Sequence, residues 1–323
     1  MKAIILGILS SFFFAFTFVL NRAMEMAGGS WIWSSSLRYL FMFPMLLLIV
    51  LGRKNFRALW AEMKSRPLQW LLWSTVGFGL FYVPITFASA YGPGWLIAGT
   101  WQVTIVSGML LSPLFYETNH GLKIRGKIPV KSLLFSVVIL AGAAVIQWEH
   151  AENLSLWNTV LFTAPVLLAS FAYPLGNRKM MEVTGGRLDV FQRVLGMTIA
   201  SLPFWILLSI YGLFTAGPPE AGQTVQSFIV ALTSGVIATL LFFKATDLVK
   251  NNMSRLAAVE STQSIQIIFV LIGEILFLGA NLPSLLSAGG ILLIMTGIVL
   301  QSMTLIDKKK IAYINQKSEA SSH

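Results

Sequence analysis

Glu260 lies inside an apolar run, in the segment RLAAVESTQSIQ, and an ionisable group in such a run needs either a partner or a task. Residues three and four apart share a helix face, so Glu260, Gln263 and Ser264 are expected to form one polar stripe, with Gln266 nearby. Burial disfavours a charged carboxyl, so such a group could hold a proton and a cation in turn, which is the chemistry of proton coupling. The plain structural alternative is a carboxylate paired with Arg255 near the end of the helix. Arg38 and Arg193 also fall inside apolar runs, and each reads either as a packing residue or as a counter-charge for Glu260 or for an anionic substrate. Glu117 and Glu274 read as turn or cap residues at the edges of runs. Trp101 and Gln102 adjoin within another run, where an aromatic face beside an amide suits a flat or cationic ligand, with packing as the competing reading. Asn21, Tyr39 and Tyr82 are further candidates of that kind. The candidate substrate-binding set is therefore Trp101, Gln102, Glu260, Gln263, Asn21, Arg38 and Tyr39, with Glu260 as the proton-coupling group.

Other chemistries find no footing. Cysteine is absent and the three histidines, His120, His150 and His323, are scattered, so no thiolate or clustered-histidine metal site is expected, and no cofactor. Without a Walker A loop, a G-x-S-x-G elbow or an H-E-x-x-H pair, a primary ATP-driven pump, a serine hydrolase and a zinc protease are all disfavoured. The chain is read as a non-enzyme. Paired glycines such as Gly77/Gly79 and Gly289/Gly290 fit close helix packing better than phosphate binding.

The elements that must position these residues follow from composition. Of 323 residues 56% are hydrophobic and only 11% charged, and mean hydropathy is +0.74, so lipid is the solvent for most of the chain. A helix needs about 20 apolar residues to span a bilayer. Apolar runs fall at 3 to 21, 32 to 51, 69 to 90, 95 to 115, 133 to 148, 156 to 176, 190 to 213, 226 to 246, 257 to 278 and 284 to 304. They predict an all-α integral membrane protein of ten transmembrane helices, the first of them retained because no A-x-A-like cleavage site follows it. Tryptophans 31, 33, 60, 70, 148 and 157 read as interfacial anchors. The net charge of +10 would suggest nucleic acid in a soluble protein, but here its placement decides. Twenty of the 23 basic residues fall in alternate loops, from Lys2 to Lys317, and only Arg22 lies in the opposite set. By the positive-inside rule both termini are cytoplasmic. The basic tail after 306 reads as a stop-transfer segment that touches anionic lipid.

The chain also repeats. NRAMEMAGG from Asn21 and NRKMMEVTGG from Asn177 stand 156 residues apart, and Arg38/Arg193, Glu117/Glu274 and Gly142/Gly297 continue the match at similar offsets. An odd number of helices per repeat inverts the second half relative to the first, an arrangement that characterises secondary transporters. The expected units are 1–152 and 153–306, each a five-helix repeat, followed by a polar cytoplasmic tail at 307–323.

With SLRYLF at Ser36–Phe41, YGPGWLIAGTWQ from Tyr91 and IGEILFLGANLPSLLSAGGILLIMTGIVL from Ile272, this pattern resembles the drug/metabolite transporter superfamily in its ten-helix EamA-like form. Within it, the chain is most similar to the multidrug resistance efflux group, through NRAMEMAGGSWIW and YGPGWLIAGTWQ. The resemblance implies a secondary transporter in the cell (inner) membrane that exports drugs or metabolites by proton-coupled alternating access, as an antiporter. It also implies a cavity lined by helices 1, 2, 4, 6, 7 and 9. The alternatives are a metabolite carrier or exchanger of amino-acid or nucleotide-sugar type, and, from another class, a non-transporting sensor or lipid-modifying protein. Expected partners are a small-molecule substrate, protons and membrane lipid, with room for a homodimer and no role for nucleic acid.

The charge pattern yields a direct test of topology. Reporter fusions after Arg66, Glu152 and Lys310 are expected to read cytoplasmic, external and cytoplasmic, and an external signal at Arg66 would overturn the ten-span arrangement.

Overall fold

In a bilayer each backbone polar group must be satisfied within the segment that carries it, so the apolar runs have little choice but helix. The computed structural model describes residues 1–92, 94–119, 122–151, 156–280, 284–286, 288–297 and 299–300. Its first helices are α1 (Lys2–Met26), α2 (Trp31–Gly52) and the short α3 (Phe56–Ser65). A rod follows from α4 (Pro67–Ser74) through a π-helical stretch at Thr75–Gly79 into α5 (Leu80–Ser89). After α6 (Gly94–Thr100) and α7 (Val103–Leu110) come β1 (Tyr116–Asn119) and β2 (Leu122–Arg125), then α8 (Val130–Ala151), α9 (Leu156–Thr184) and α10 (Val190–Thr215). A second π-helical stretch, Ala231–Ala238, joins α11 (Ala221–Val230) to α12 (Thr239–Asp247), and a 3-10 turn, Ser261–Ile265, joins α13 (Met253–Glu260) to α14 (Gln266–Leu278). Among the described residues six helices are long and apolar enough to cross a membrane: Lys2–Met26, Trp31–Gly52, Pro67–Ser89, Val190–Thr215, Ala221–Asp247 and Ser254–Leu278. The protein is a multi-pass helical membrane protein.

Several local expectations change. The run at 95 to 115 is two short helices, because the backbone leaves α-geometry at Trp101 and Gln102. The run at 257 to 278 is likewise broken, by the 3-10 turn, whose three-residue repeat turns successive side chains onto new faces. The loop after α7 holds the antiparallel hairpin of β1 and β2, with Tyr116 opposite Arg125, so the described chain is not purely helical. α9 runs to Thr184, eight residues past the expected end of its run at 176, and so takes in Arg178, which the charge pattern had placed in a loop. Trp33 and Trp70 are buried, unlike the lipid-interface anchors expected; the Trp33 indole N–H donates to the Gly217 carbonyl at 2.8 Å. The basic tail, Glu152 and two of the three histidines, His120 and His323, lie outside the described residues.

Helix ends are satisfied locally. Ser30 caps α2, and Asp189 with Gln192 forms a capping box on α10, each side chain bonding the other residue's backbone N–H. Within the helices Ser10, Ser35, Ser36 and Thr198 return their hydroxyls to carbonyls three or four residues back, which lets polar side chains sit in an apolar bundle. α1 packs on the rod of α11 and α12 and on α14, α9 packs on α5 and α7, and α2 packs on α10. The core where they meet is rich in aromatic side chains, including the fully buried Tyr82, Trp205 and Phe243.

Gly77 and Gly176 let the Pro67–Ser89 rod and α9 touch backbone to backbone: a Cβ on Gly176 would fall on the Cα and N of Gly77 and 3.0 Å from the Trp73 carbonyl. Backbone cannot yield as a side chain can. Gly176→Ala is therefore expected to destabilise the bundle by about 1–3 kcal/mol, read as a lower melting temperature and lower folded yield in detergent; an unchanged melting temperature would mean the two rods can part freely.

Candidate functional site

Glu260 is the last residue of α13, 5% exposed, and both its oxygens face Arg178 of α9. The Arg178 Nη2 donates to Oε2 at 2.7 Å and to Oε1 at 2.8 Å, and Nε donates to Oε1 at 3.2 Å. The partner expected from sequence, Arg255, instead gives its backbone N–H to the Asn252 cap. Arg255 lies one helical turn and more before Glu260, whereas α9 brings Arg178 in from the other side; sequence distance was the wrong guide. Gly108 on α7 lies directly against the carboxylate and has no room for a Cβ there. The expected stripe of Glu260, Gln263 and Ser264 is split, because the 3-10 turn begins one residue after Glu260. Gln263 turns to α1, where its Nε2 donates to Ser10 Oγ at 3.0 Å, while Ser264 bonds back to the Ser261 carbonyl.

A small cavity is lined by Phe14, Thr17, Phe18, Phe81, Ile85, Trp101, Tyr173, Gln263 and Gln266, of which Gln263 follows Glu260 by three residues and Tyr173 precedes Arg178 by five. It has room for about one water molecule. Three of its walls form an aromatic box: Phe81 lies 5.2 Å from Trp101 and 4.5 Å from Tyr173, centroid to centroid, and Trp101 lies 5.9 Å from Tyr173. Trp101 and Gln263 thus share one lining. Gln102 is not on the lining: its Nε2 donates to the Ala98 carbonyl, four residues back, at 2.7 Å.

Asn21, Arg38, Tyr39 and Tyr82 form a second cluster. Asn21 Nδ2 donates to the Tyr82 hydroxyl at 3.2 Å, and the Arg38 guanidinium lies over the Tyr82 ring at 4.0 Å and the Tyr39 ring at 5.4 Å. Trp205 stacks on Tyr39, 4.2 Å away and 7° from parallel. The matching of Arg38 with Arg193 does not extend to partners, since Arg193 donates to Asp247 at 2.8 Å and Arg38 has no carboxylate within ion-pair distance among the described residues. Glu274, expected at a membrane edge, is buried within α14 and accepts from the Gly94 backbone N–H at 3.0 Å, at the start of α6.

Both ends of the bundle are bridged. At the end rich in basic residues, Arg187 holds Glu62 through two bonds of 2.7 and 2.9 Å, Arg53 reaches Asp189 at 3.1 Å, and the Gln192 amide donates to the Asn55 carbonyl at 2.8 Å. The Arg187 guanidinium keeps the Glu62 carboxyl below the usual carboxylate range. At the opposite end the bridges are neutral: Gln223 Nε2 donates to the Ser30 carbonyl and to Ser34 Oγ at 2.7 and 2.9 Å, beside the Trp33–Gly217 bond. Side-chain contacts thus join the helices at both ends of the bundle. Arg178, Phe14, Thr17, Phe81 and Tyr173 were not foreseen as site residues; the NR pair shared by Asn21–Arg22 and Asn177–Arg178 was the one signal that could have marked Arg178.

Residues 1–307 match the model of a family described as EmrE, putative multidrug resistance efflux transporter. The chain is 61% identical over 306 residues, 94% of each chain, to a Bacillus subtilis (strain 168) protein called "Uncharacterized protein YjlA". It is 54% identical over 265 residues to a Shouchella clausii protein called "Uncharacterized 42.1 kDa protein in intracellular alkaline protease 3'region", covering 82% of this chain and 70% of that one. A solved structure described only as "Crystal structure of protein" superposes with a TM-score of 0.67 at 12% identity, over 94% of this chain and 96% of that chain, a likeness of fold alone.

Taking one partner from a buried ion pair strands the other charge, so Arg178→Ala is expected to cost about 3–5 kcal/mol of stability. Arg255→Gln should melt close to wild type. The reverse order of melting temperatures in detergent would restore Arg255 as the partner of Glu260.

Proposed function

We propose that this chain, which belongs to the putative multidrug resistance efflux transporter family, is a secondary transporter that moves a small molecule across the cell membrane by alternating access coupled to protons. The observation that carries the reading is the buried Arg178–Glu260 pair, in a bundle whose aromatic cavity is lined by Tyr173 and Gln263 from the same two stretches of chain. A carboxylate at that depth is stable only while neutralised, either by the guanidinium or by a proton. Exchanging one for the other links protonation to movement of α9 against α13; α9 lines the cavity through Tyr173, and the 3-10 turn that follows α13 lines it through Gln263. In this conformation the pair is made; protonation of Glu260 frees Arg178 and loosens that contact. The bridges at both ends fit an intermediate between two open states, the ionic set joining one end and the Gln223–Ser30 set the other.

The arrangement we propose has ten helices in two inverted five-helix repeats, 1–152 and 153–306, with the tail at 307–323 and both termini cytoplasmic. Two observations support the repeat. The π-helical stretches begin at Thr75 and Ala231, separated by the same 156 residues as the NR motifs. The contacts also pair: α1 lies against α11, α12 and α14 as α9 lies against α5 and α7. Export of a drug or metabolite in exchange for protons is the direction the family name suggests.

The test uses the full chain in proteoliposomes with an imposed pH gradient, screened against cationic dyes, amino acids, organic acids and sugars. Glu260→Gln keeps the shape and one hydrogen-bond acceptor but removes titration. Gradient-driven flux should fall to background while substrate exchange without a gradient persists. Wild-type driven flux in Glu260→Gln, per folded molecule, would sink the coupling role and leave facilitated exchange.

A further inference from the structure

We propose that Arg38 is the anion site of this bundle, and that the transported molecule carries a single carboxylate beside a flat apolar group. The proposal rests on the transport reading and adds to it the charge class of the cargo.

Three arginines are buried within helices among the described residues: Arg38, Arg178 and Arg193, at 1, 4 and 3% exposure. Arg178 has Glu260 and Arg193 has Asp247. Arg38 has neither a carboxylate nor, at its Nε and Nη1, any hydrogen-bond acceptor. It stands seven residues beyond Trp31, about 10 Å along α2 at 1.5 Å per residue. A lone guanidinium at such depth is costly, and charged groups there typically serve a substrate or ion path. The Tyr82 and Tyr39 rings attract the cation through their faces but accept none of its N–H groups in the plane, so they hold it without neutralising it. The repeat supplies an internal comparison: the position 156 residues before Asp247 is Tyr91, so the acid that neutralises Arg193 has no counterpart for Arg38.

The surroundings define what fits. Near Arg38 lie the neutral Asn21–Tyr82 pair and Gly235, which packs against Met42 and approaches Nε; Ser234, the residue before Gly235, pairs its hydroxyl with that of Thr17. With no second cation in the cluster, one negative charge is matched, not two. Thr17 also lines the aromatic cavity, and so does Phe81, the neighbour in sequence of Tyr82. A ring seated among Phe14, Phe81, Trp101 and Tyr173 can therefore point a carboxylate past Thr17 to Arg38. The cavity holds about one water in this conformation, so the ring enters when the bundle opens.

Calorimetric titration of the full-length protein in detergent at pH 7 and 0.15 M salt tests this with 1-naphthoate and its cationic counterpart, 1-naphthylmethylammonium. Wild type should bind 1-naphthoate saturably and at least tenfold more tightly than the cation. Arg38→Gln should lose tenfold or more in 1-naphthoate affinity, Arg38→Lys should recover part of it, and neither should lower the unliganded melting temperature, as loss of a packing arginine would. Equal or tighter binding of the cation by wild type, which needs no variant to fold, overturns the proposal. So does the absence of saturable 1-naphthoate binding, or unchanged affinity in Arg38→Gln. Binding in detergent needs no gradient, so an anion preference that survives the loss of proton-driven flux supports this site while refuting proton coupling.

Discussion

A charge inside an apolar helical bundle has to be neutralised where it stands, and much of this structure is arranged around that demand at Arg178 and Glu260. Three hydrogen bonds join them from two nitrogens of a planar guanidinium fork, a fixed geometry that a point-like ammonium does not reproduce. Gly108 gives the carboxylate its space, α9 is long enough to carry Arg178 inside, and α-geometry stops at Glu260 itself. That stop frees the following residues to face elsewhere, which is how Gln263 comes to meet Ser10 on α1 rather than stacking behind Glu260. The pair therefore fixes the path of α13 and α14, and through it one wall of the cavity.

The rest of the bundle holds together by close approach and aromatic contact, because lipid gives apolar faces little reason to leave it for one another. Gly77 against Gly176 is one such approach. The rings from Trp205 through Tyr39, Tyr82, Phe81 and Tyr173 to Phe242 form another kind of seam, continuous from α10 to α12. Its inner contacts are edge-on or tilted and its two ends, Trp205 on Tyr39 and Tyr173 on Phe242, are stacked, the geometries that ring quadrupoles favour.

The two sets of contacts differ in physics. Arg187–Glu62 and Arg53–Asp189 are largely exposed ion pairs, weak individually and screened by salt, whereas Gln223 with Ser30 and Ser34 makes neutral bonds in a more buried setting. The contacts at the basic end of the bundle are thus the ones that salt screens.

Composition and charge placement alone determined that this chain is a multi-pass helical membrane protein, because the cost of backbone in lipid leaves no other way to satisfy polar groups. The 156-residue echo between NRAMEM and NRKMME was equally plain in the letters, and Glu260, Trp101 and Gln263 stood out since polar and aromatic groups are rare in such runs. Partners were another matter. Glu260 was read with Arg255, five residues away, but bonds to Arg178, 82 residues away; Gln102 was read with Trp101 but bonds back to Ala98; Arg38 and Arg193 matched in sequence but only one has an acid. Local spacing specifies which residues share a face only while the helix stays regular, and at Trp101–Gln102 and Ser261–Ile265 it does not. Where a helix breaks, and which distant helix supplies the opposite charge, is settled by packing between helices, so only the tertiary structure could decide it.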